Sequence, residues 1–374
     1  MTRPVSWTST RAGRRNRRIG LLFLLFSLGL FAALPTLPPA PGEPPSGDLR
    51  SAEAALFAGR PERAYRILQT QCALSPPSEK ALSLLAMTLL ALDRPLDAAR
   101  VLGRVDAPSA AGQVRALLER NLALHGKVAL AEEPFPTPAL DPRILKKALA
   151  VAPAPGGGAY LLSRDALLVL GPDGRIQSTR PLSGALDLSL DASGRPLALA
   201  KGSLLWGDRT LTLPPTFGSP DSVAFLPEGA AVLLDGRQHR LLKVDPEGRA
   251  VGSAAILVPD PFLVRTDGAG RLYVADGRGG RIFVLGGDLS VLRVLDAKAS
   301  GAPLRRLADF RVDFAGNLLL LDGRSHRLIL LSSSGKVLYL SGEENPKVAA
   351  AGWDGLDRIL FVDDRVPRVG GLRP

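Results

Sequence analysis

Three textures of apolar and polar residues follow one another along the chain. Residues 19–34 form a run without a single charge, closed by Pro35. From residue 48 to 130, apolar positions recur at helical spacing with leucine and alanine dominant, which predicts an array of helices. From residue 151 to the end, short runs of Leu, Val, Ile and Ala alternate with Asp-Gly, Gly-Arg and Pro-Glu-Gly turns. That punctuation predicts an all-β region built from many short hairpins.

Six arginines (Arg3, Arg11, Arg14, Arg15, Arg17 and Arg18) precede the apolar run, with no acidic residue among them. Arginines on that flank orient residues 1–18 toward the cytoplasm. At 1.5 Å per residue, residues 19–37 reach about 28 Å, just enough for a hydrocarbon core of roughly 30 Å. The expectation is a single-pass anchor in the cytoplasmic membrane, with everything after it periplasmic or extracytoplasmic. A cut near Ala32-Ala33 or Ala40 is the alternative and makes the protein secreted; a buried soluble helix is the third reading. Residues 38–47 are rich in proline and read as a semi-rigid spacer, and residues 131–150, with four prolines in the first twelve positions, as a second linker.

Length and composition narrow the classes. At about 150 residues per domain, 374 residues favour two or three units. Gly (39) and Pro (32) make up about a fifth of the chain, below the roughly 25–30% of a disordered one. A single cysteine, Cys72, cannot close an intramolecular disulfide or supply a structural zinc site. The net charge of +11 lies in good part on the N-terminal tail, so it does not mark a nucleic-acid surface on a folded domain. The three histidines are His125, His239 and His326. His125, just before Gly126, reads as a helix C-terminal cap.

Shifting residues 48–130 by 34 aligns Leu56 with Leu90 and Leu124, Arg60-Pro61 with Arg94-Pro95, Ala64 with Ala98, and Leu68 with Leu102. That is the period of tetratricopeptide repeats, which this stretch resembles, with Pro76 matching that family's proline. The resemblance implies helical hairpins that offer a groove to a partner peptide or pack as a spacer on the next domain.

In the β region, three segments align closely, beginning at Gly229, Gly270 and Gly316. Each carries Asp-Gly-Arg (Asp235, Asp276, Asp322) and a second arginine (Arg240, Arg281, Arg327) five residues after the aspartate. Weaker copies begin at Gly194 and Gly355, and another covers residues 159–180. Six copies of about forty residues suit a closed six-bladed propeller, which protects sheet edges. Closure is expected from strands around Val151 to Ser163 completing the last sheet. The motif Gly-Arg-Leu-Tyr-Val-Ala-Asp, followed by Arg281-Ile-Phe-Val, resembles the NHL repeat, whose members are mostly binding and scaffolding domains. The fold class expected is therefore multidomain: a membrane or signal helix, all-α tetratricopeptide-like hairpins, then an all-β six-bladed propeller over residues 151–374.

The repeated polar residues read as architecture: Asp235, Asp276 and Asp322 cap turns or pair with Arg240, Arg281 and Arg327. His239 and His326 share one repeat position, which places them around a ring rather than at one metal. The candidate partner-binding residues are the turn arginines Arg237, Arg278 and Arg324, which could face anionic cell-wall polymer or lipid headgroups, and the unrepeated Trp206 and Trp353. No nucleophile elbow, His-Glu-x-x-His or P-loop is present. No catalytic residue, metal ligand or cofactor is expected. The function expected is non-catalytic scaffolding of protein partners in the cell envelope, without nucleic acid. A calcium-dependent lactonase-like propeller, with oxygen ligands at the channel mouth, and a glycan-binding propeller are the alternatives.

Overall fold

The computed structural model describes residues 48–374 apart from 75–76, 106–107, 126–130, 137–139, 192, 288, 342–347, 354–358, 364–367 and 374. The arginine tail, apolar run and proline spacer lie outside the described residues, as does Pro76. Among the described residues no helix is long and apolar enough to cross a membrane.

Five helices open the described chain: α1 (Leu49–Phe57), α2 (Pro61–Leu74), α3 (Glu79–Ala91), α4 (Pro95–Leu102) and α5 (Pro108–His125). The Asp48 carboxylate caps α1 by accepting from the Ser51 amide, and the Ser78 hydroxyl caps α3 through the Ala81 amide. Pro61 and Pro95 open α2 and α4, where a missing N–H costs nothing. The chain reverses before each through a left-handed residue, Gly59 (φ 70°) and Asp93 (φ 58°). The pairs related by 34 occupy matching places: Leu56 and Leu90, Ala64 and Ala98, Leu68 and Leu102 are all buried in one core.

The β region forms six four-stranded antiparallel sheets. Blade one is β2 (Ala148–Pro153), β3 (Ala159–Ser163), β4 (Ala166–Leu170) and β5 (Ile176–Pro181); blade two is β6 (Ala185–Leu190), β7 (Pro196–Ala200), β8 (Ser203–Trp206) and β9 (Arg209–Thr212). Blade three runs β10 (Ser222–Phe225), β11 (Ala231–Asp235), β12 (Arg240–Val244) and β13 (Ala250–Ala255), and blade four β14 (Pro261–Thr266), β15 (Leu272–Asp276), β16 (Arg281–Leu285) and β17 (Val291–Asp296). Blade five is β18 (Leu307–Val312), β19 (Leu318–Asp322), β20 (Leu328–Leu331) and β21 (Val337–Leu340); blade six is β22 (Val348–Trp353), β23 (Ile359–Asp363) and β24 (Arg368–Arg373).

The first strands meet one another in an unbroken ring, β22 touching β2. This is a six-bladed β-propeller. Every second strand is buried at all five positions, because neighbouring blades cover both of its faces. Apolar runs such as Leu318-Leu-Leu-Leu321 therefore do not alternate with polar residues.

Closure differs from the expectation. The fourth strand of blade six is β1 (Ala131–Pro134), which pairs with β24 from Ala131 opposite Arg373 to Pro134 opposite Gly370. Residues Val151 to Ser163 instead build β2 and β3 of blade one. Part of the expected linker is thus the latch that ties the two ends of the ring, and a short helix, α6 (Pro142–Lys146), leads from it into β2.

Candidate functional site: a helical module clamped on blade four

In blades three, four and five the hairpin joining second to third strand carries the repeated Asp-Gly-Arg turn, at one end of the propeller. Arg237, Arg278 and Arg324 are exposed there on three successive blades. The aspartates before them are buried and fully used as acceptors. Asp235 accepts from the amides of Gln238 and Ser219. Asp276 accepts from the Arg278 amide and from Arg281 Nη2 at 2.9 Å. Asp322 accepts from the amides of Arg305, Arg306 and Arg324 and from Ser325 Oγ. Burial pushes the Asp322 carboxyl up, and these donors more than reverse it, leaving it below the usual range. Arg240 reaches the Thr216 carbonyl, 3.3 Å away, rather than an acid.

His239 and His326 both adopt left-handed backbone (φ 50° and 57°), and the aligned third position is Gly280 (φ 65°). Each imidazole Nδ1 hydrogen-bonds a carbonyl at the entrance to the next blade, Val258 for His239 and Val348 for His326. Their recurrence is a blade-to-blade tie. Trp206 and Trp353 are only 8% and 7% exposed, within the packing of separate blade interfaces. Trp206 meets Phe225 edge to face.

On the axis, four inner strands contribute an ionic network. Arg265 on β14 holds both oxygens of Asp187 on β6, at 2.7 and 2.9 Å, and one oxygen of Asp309 on β18 at 2.9 Å. It also donates to the Val264 and Phe310 carbonyls. Ser222 on β10 donates to Asp187 at 2.5 Å, and Arg311 lies 2.9 Å from Asp309. Burial pushes the Asp187 carboxyl up, but the Arg265 charge and hydrogen bonds carry it below the ordinary range. The two cations and two anions balance, so the network ties blades two to five. Among the described residues, no group of three or more His, Cys, Asp or Glu side chains is placed to hold a metal.

The opposite end of the propeller carries a second recurring turn, Asp-x-x-Gly-Arg, which the repeat reading passed over. In Asp191 to Arg195, Asp245 to Arg249 and Asp267 to Arg271 the carboxylate accepts from the arginine's own amide and side chain. The arginine side chain is 63% exposed at Arg195 and 73% at Arg249, yet 8% at Arg271. The helices cover blade four at this point. Arg271 Nη1 donates to the Ala91 carbonyl at the end of α3, at 2.9 Å, while Tyr273 donates to Asp267. A cation on the carbonyl end of a helix also meets the negative pole of its dipole.

Around this clamp the two backbones touch. The Gly59 amide donates to the Ala269 carbonyl at 2.7 Å, and the Gly287 amide to the Ala58 carbonyl at 3.1 Å. A Cβ on Gly270 would stand 2.1 Å from the Phe57 carbonyl oxygen, and one on Gly287 2.2 Å from that of Ala58. Only glycine permits so close an approach. Ala269 completes the helical core.

Beside the contact lies an open cleft of about 310 Å³ between the start of α2 and blade four. Arg60, Arg63 and Arg66 line it from the helix side with Glu62, and Ser290 and Leu292 from the blade. Arg63 and Arg66 are exposed, and among the described residues neither guanidinium is paired. With three arginines and one glutamate in its lining, the cleft carries an excess of positive charge.

The class defined by these observations is a six-bladed propeller carrying a helical module on one blade. No protein-family model and no curated protein matches the chain. Solved structures similar to it include a catalytically inactive virginiamycin B lyase from Staphylococcus aureus with quinupristin, at 12% identity over 61% of this chain and 81% of that one (TM-score 0.46). A calcium-binding regucalcin from Agrobacterium tumefaciens is 14% identical over 64% and 94% (TM-score 0.48). A Bacteroides thetaiotaomicron protein of unknown function is 12% identical over 67% and 73% (TM-score 0.48). Because lyases occur among these propellers, the expectation that the chain is not an enzyme is withdrawn: the fold gives no ground for excluding catalysis.

Proposed function

We propose that the chain is a recognition protein of the cell envelope whose helical module and propeller engage a protein partner together. The observation that carries this is the buried Arg271 clamp with its glycine contacts, which fuses helices and blade four into one rigid surface flanked by the exposed Arg63 and Arg66. The 34-residue periodicity of the helices supports a tetratricopeptide-like module, and the repeated Asp-Gly-Arg blades an NHL-like propeller. The arginine-flanked apolar run supports a membrane tether that keeps this surface outside the cytoplasm. Two recognition surfaces on one chain gain from effective concentration when both meet one assembly.

The test is photo-crosslinking in intact cells, with the crosslinker placed in turn at Arg63 beside the cleft and at Arg278 on the opposite end. A discrete protein adduct in the membrane fraction from either position is the expected result. Absence of any protein adduct from both positions overturns the proposal.

A further inference from the structure

Outermost strands of the blades are largely polar or carry a single exposed large apolar residue: Ile176 on β5, Val251 on β13, Leu340 on β21. The exception is β17, where Val291, Leu292 and Val294 are 45%, 47% and 42% exposed. Its outer edge has no strand partner among the described residues. Leu292 lines the same cleft as Arg63 and Arg66. An exposed apolar edge is a template for another strand unless something covers it, and here it lies against unpaired positive charge.

We propose, building on the reading above, that this groove takes an extended acidic segment of a protein partner. The segment adds to β17 as a fifth strand, its carboxylates on the Leu292 face toward Arg63 and Arg66 and its apolar side chains on the opposite face beside Val291. Main-chain hydrogen bonds supply affinity in such strand addition, and alternate side chains supply specificity. The spacing is within reach: Arg63 to Arg66 spans about 4.5 Å of helix axis, same-face side chains on a strand stand about 7 Å apart, and long flexible arginine side chains bridge the difference. Two successive same-face acidic residues therefore reach the arginine row. The N-terminal tail of this chain, with six arginines and no acid, has the wrong charge to occupy the cleft.

The experiment uses the full-length protein in detergent and a fluorescein-labelled decapeptide of alternating Glu and Val. Three controls accompany it: the Lys-Val counterpart, the Glu-Val peptide N-methylated at alternate amides, and inorganic polyphosphate. Saturable binding of the Glu-Val peptide is expected, weaker by about tenfold or more with Arg63→Glu plus Arg66→Glu and on N-methylation. Both substitutions are at exposed positions, and an unchanged melting temperature shows the variant folded. Equal binding of the Lys-Val peptide, or affinity unchanged in the variant, overturns the proposal. So does polyphosphate binding that matches the peptide, which would make the cleft an anion site. A crosslinked partner at Arg278 with no peptide binding would leave the recognition function standing and remove the groove.

Discussion

At the scale of single residues, burial decides what a repeated side chain does. Arg195, Arg249 and Arg271 occupy the same turn, but only Arg271 is sealed beneath the helices. Arg271→Ala leaves the Asp267 carboxylate buried without its cation, which costs about 3–5 kcal/mol. Arg195→Ala, at a solvated pair, costs about 0–1 kcal/mol. Urea unfolding of both variants measures the contrast, and equal losses would refute the clamp. Asp313, near Asp267 in the same buried layer, is pushed up to about 7 by burial, against the hydrogen bonds it accepts from Asn317. Between about pH 4 and pH 7 the unfolded chain has released a proton that the folded chain keeps, so stability falls across that window and levels off above it. Asp313→Asn is expected to remove this slope, an effect of up to about 4 kcal/mol between pH 4 and pH 7. Parallel pH profiles for the two proteins would contradict the assignment. None of this is written in the local sequence, where the three turns look alike and nothing marks the blade that is covered.

At the scale of elements, legibility follows burial symmetry. Second strands and helix cores were readable because one environment runs their whole length, as in Leu318 to Leu321 or the pairs Ala64 and Ala98. The latch β1 was not, because Ala131-Glu-Glu-Pro134 is short, carries proline and shows no alternation. The axial network also escaped notice: Asp187, Ser222, Arg265 and Asp309 come from four blades and meet only when the ring closes. The available signal was charge inside apolar inner strands, as in Leu186-Asp187-Leu188 and Val264-Arg265. Replacing Glu132 and Glu133 by proline removes whichever of the two neighbouring amides faces β24 and weakens the pairing. Limited proteolysis of that variant is expected to cut first in blade six, and a wild-type cleavage pattern would show that the latch is dispensable.

At the scale of the whole molecule, helices and propeller are held as one body by backbone contacts that leave no room for side chains. Gly287→Val drives a Cβ against the Ala58 carbonyl and forces the two parts apart. The wild type is expected to unfold in one calorimetric transition, and this variant in two, with the helical part melting first. A single transition in both would mean that the contact carries no cooperativity. The most direct test of the composite surface is a distance measured across it. With Cys72 replaced by serine, spin labels at positions 63 and 292 are expected to give one narrow distance distribution by pulsed electron resonance, broadened in Gly287→Val. A broad distribution in the otherwise wild-type protein would show that the helices are tethered to blade four rather than clamped on it.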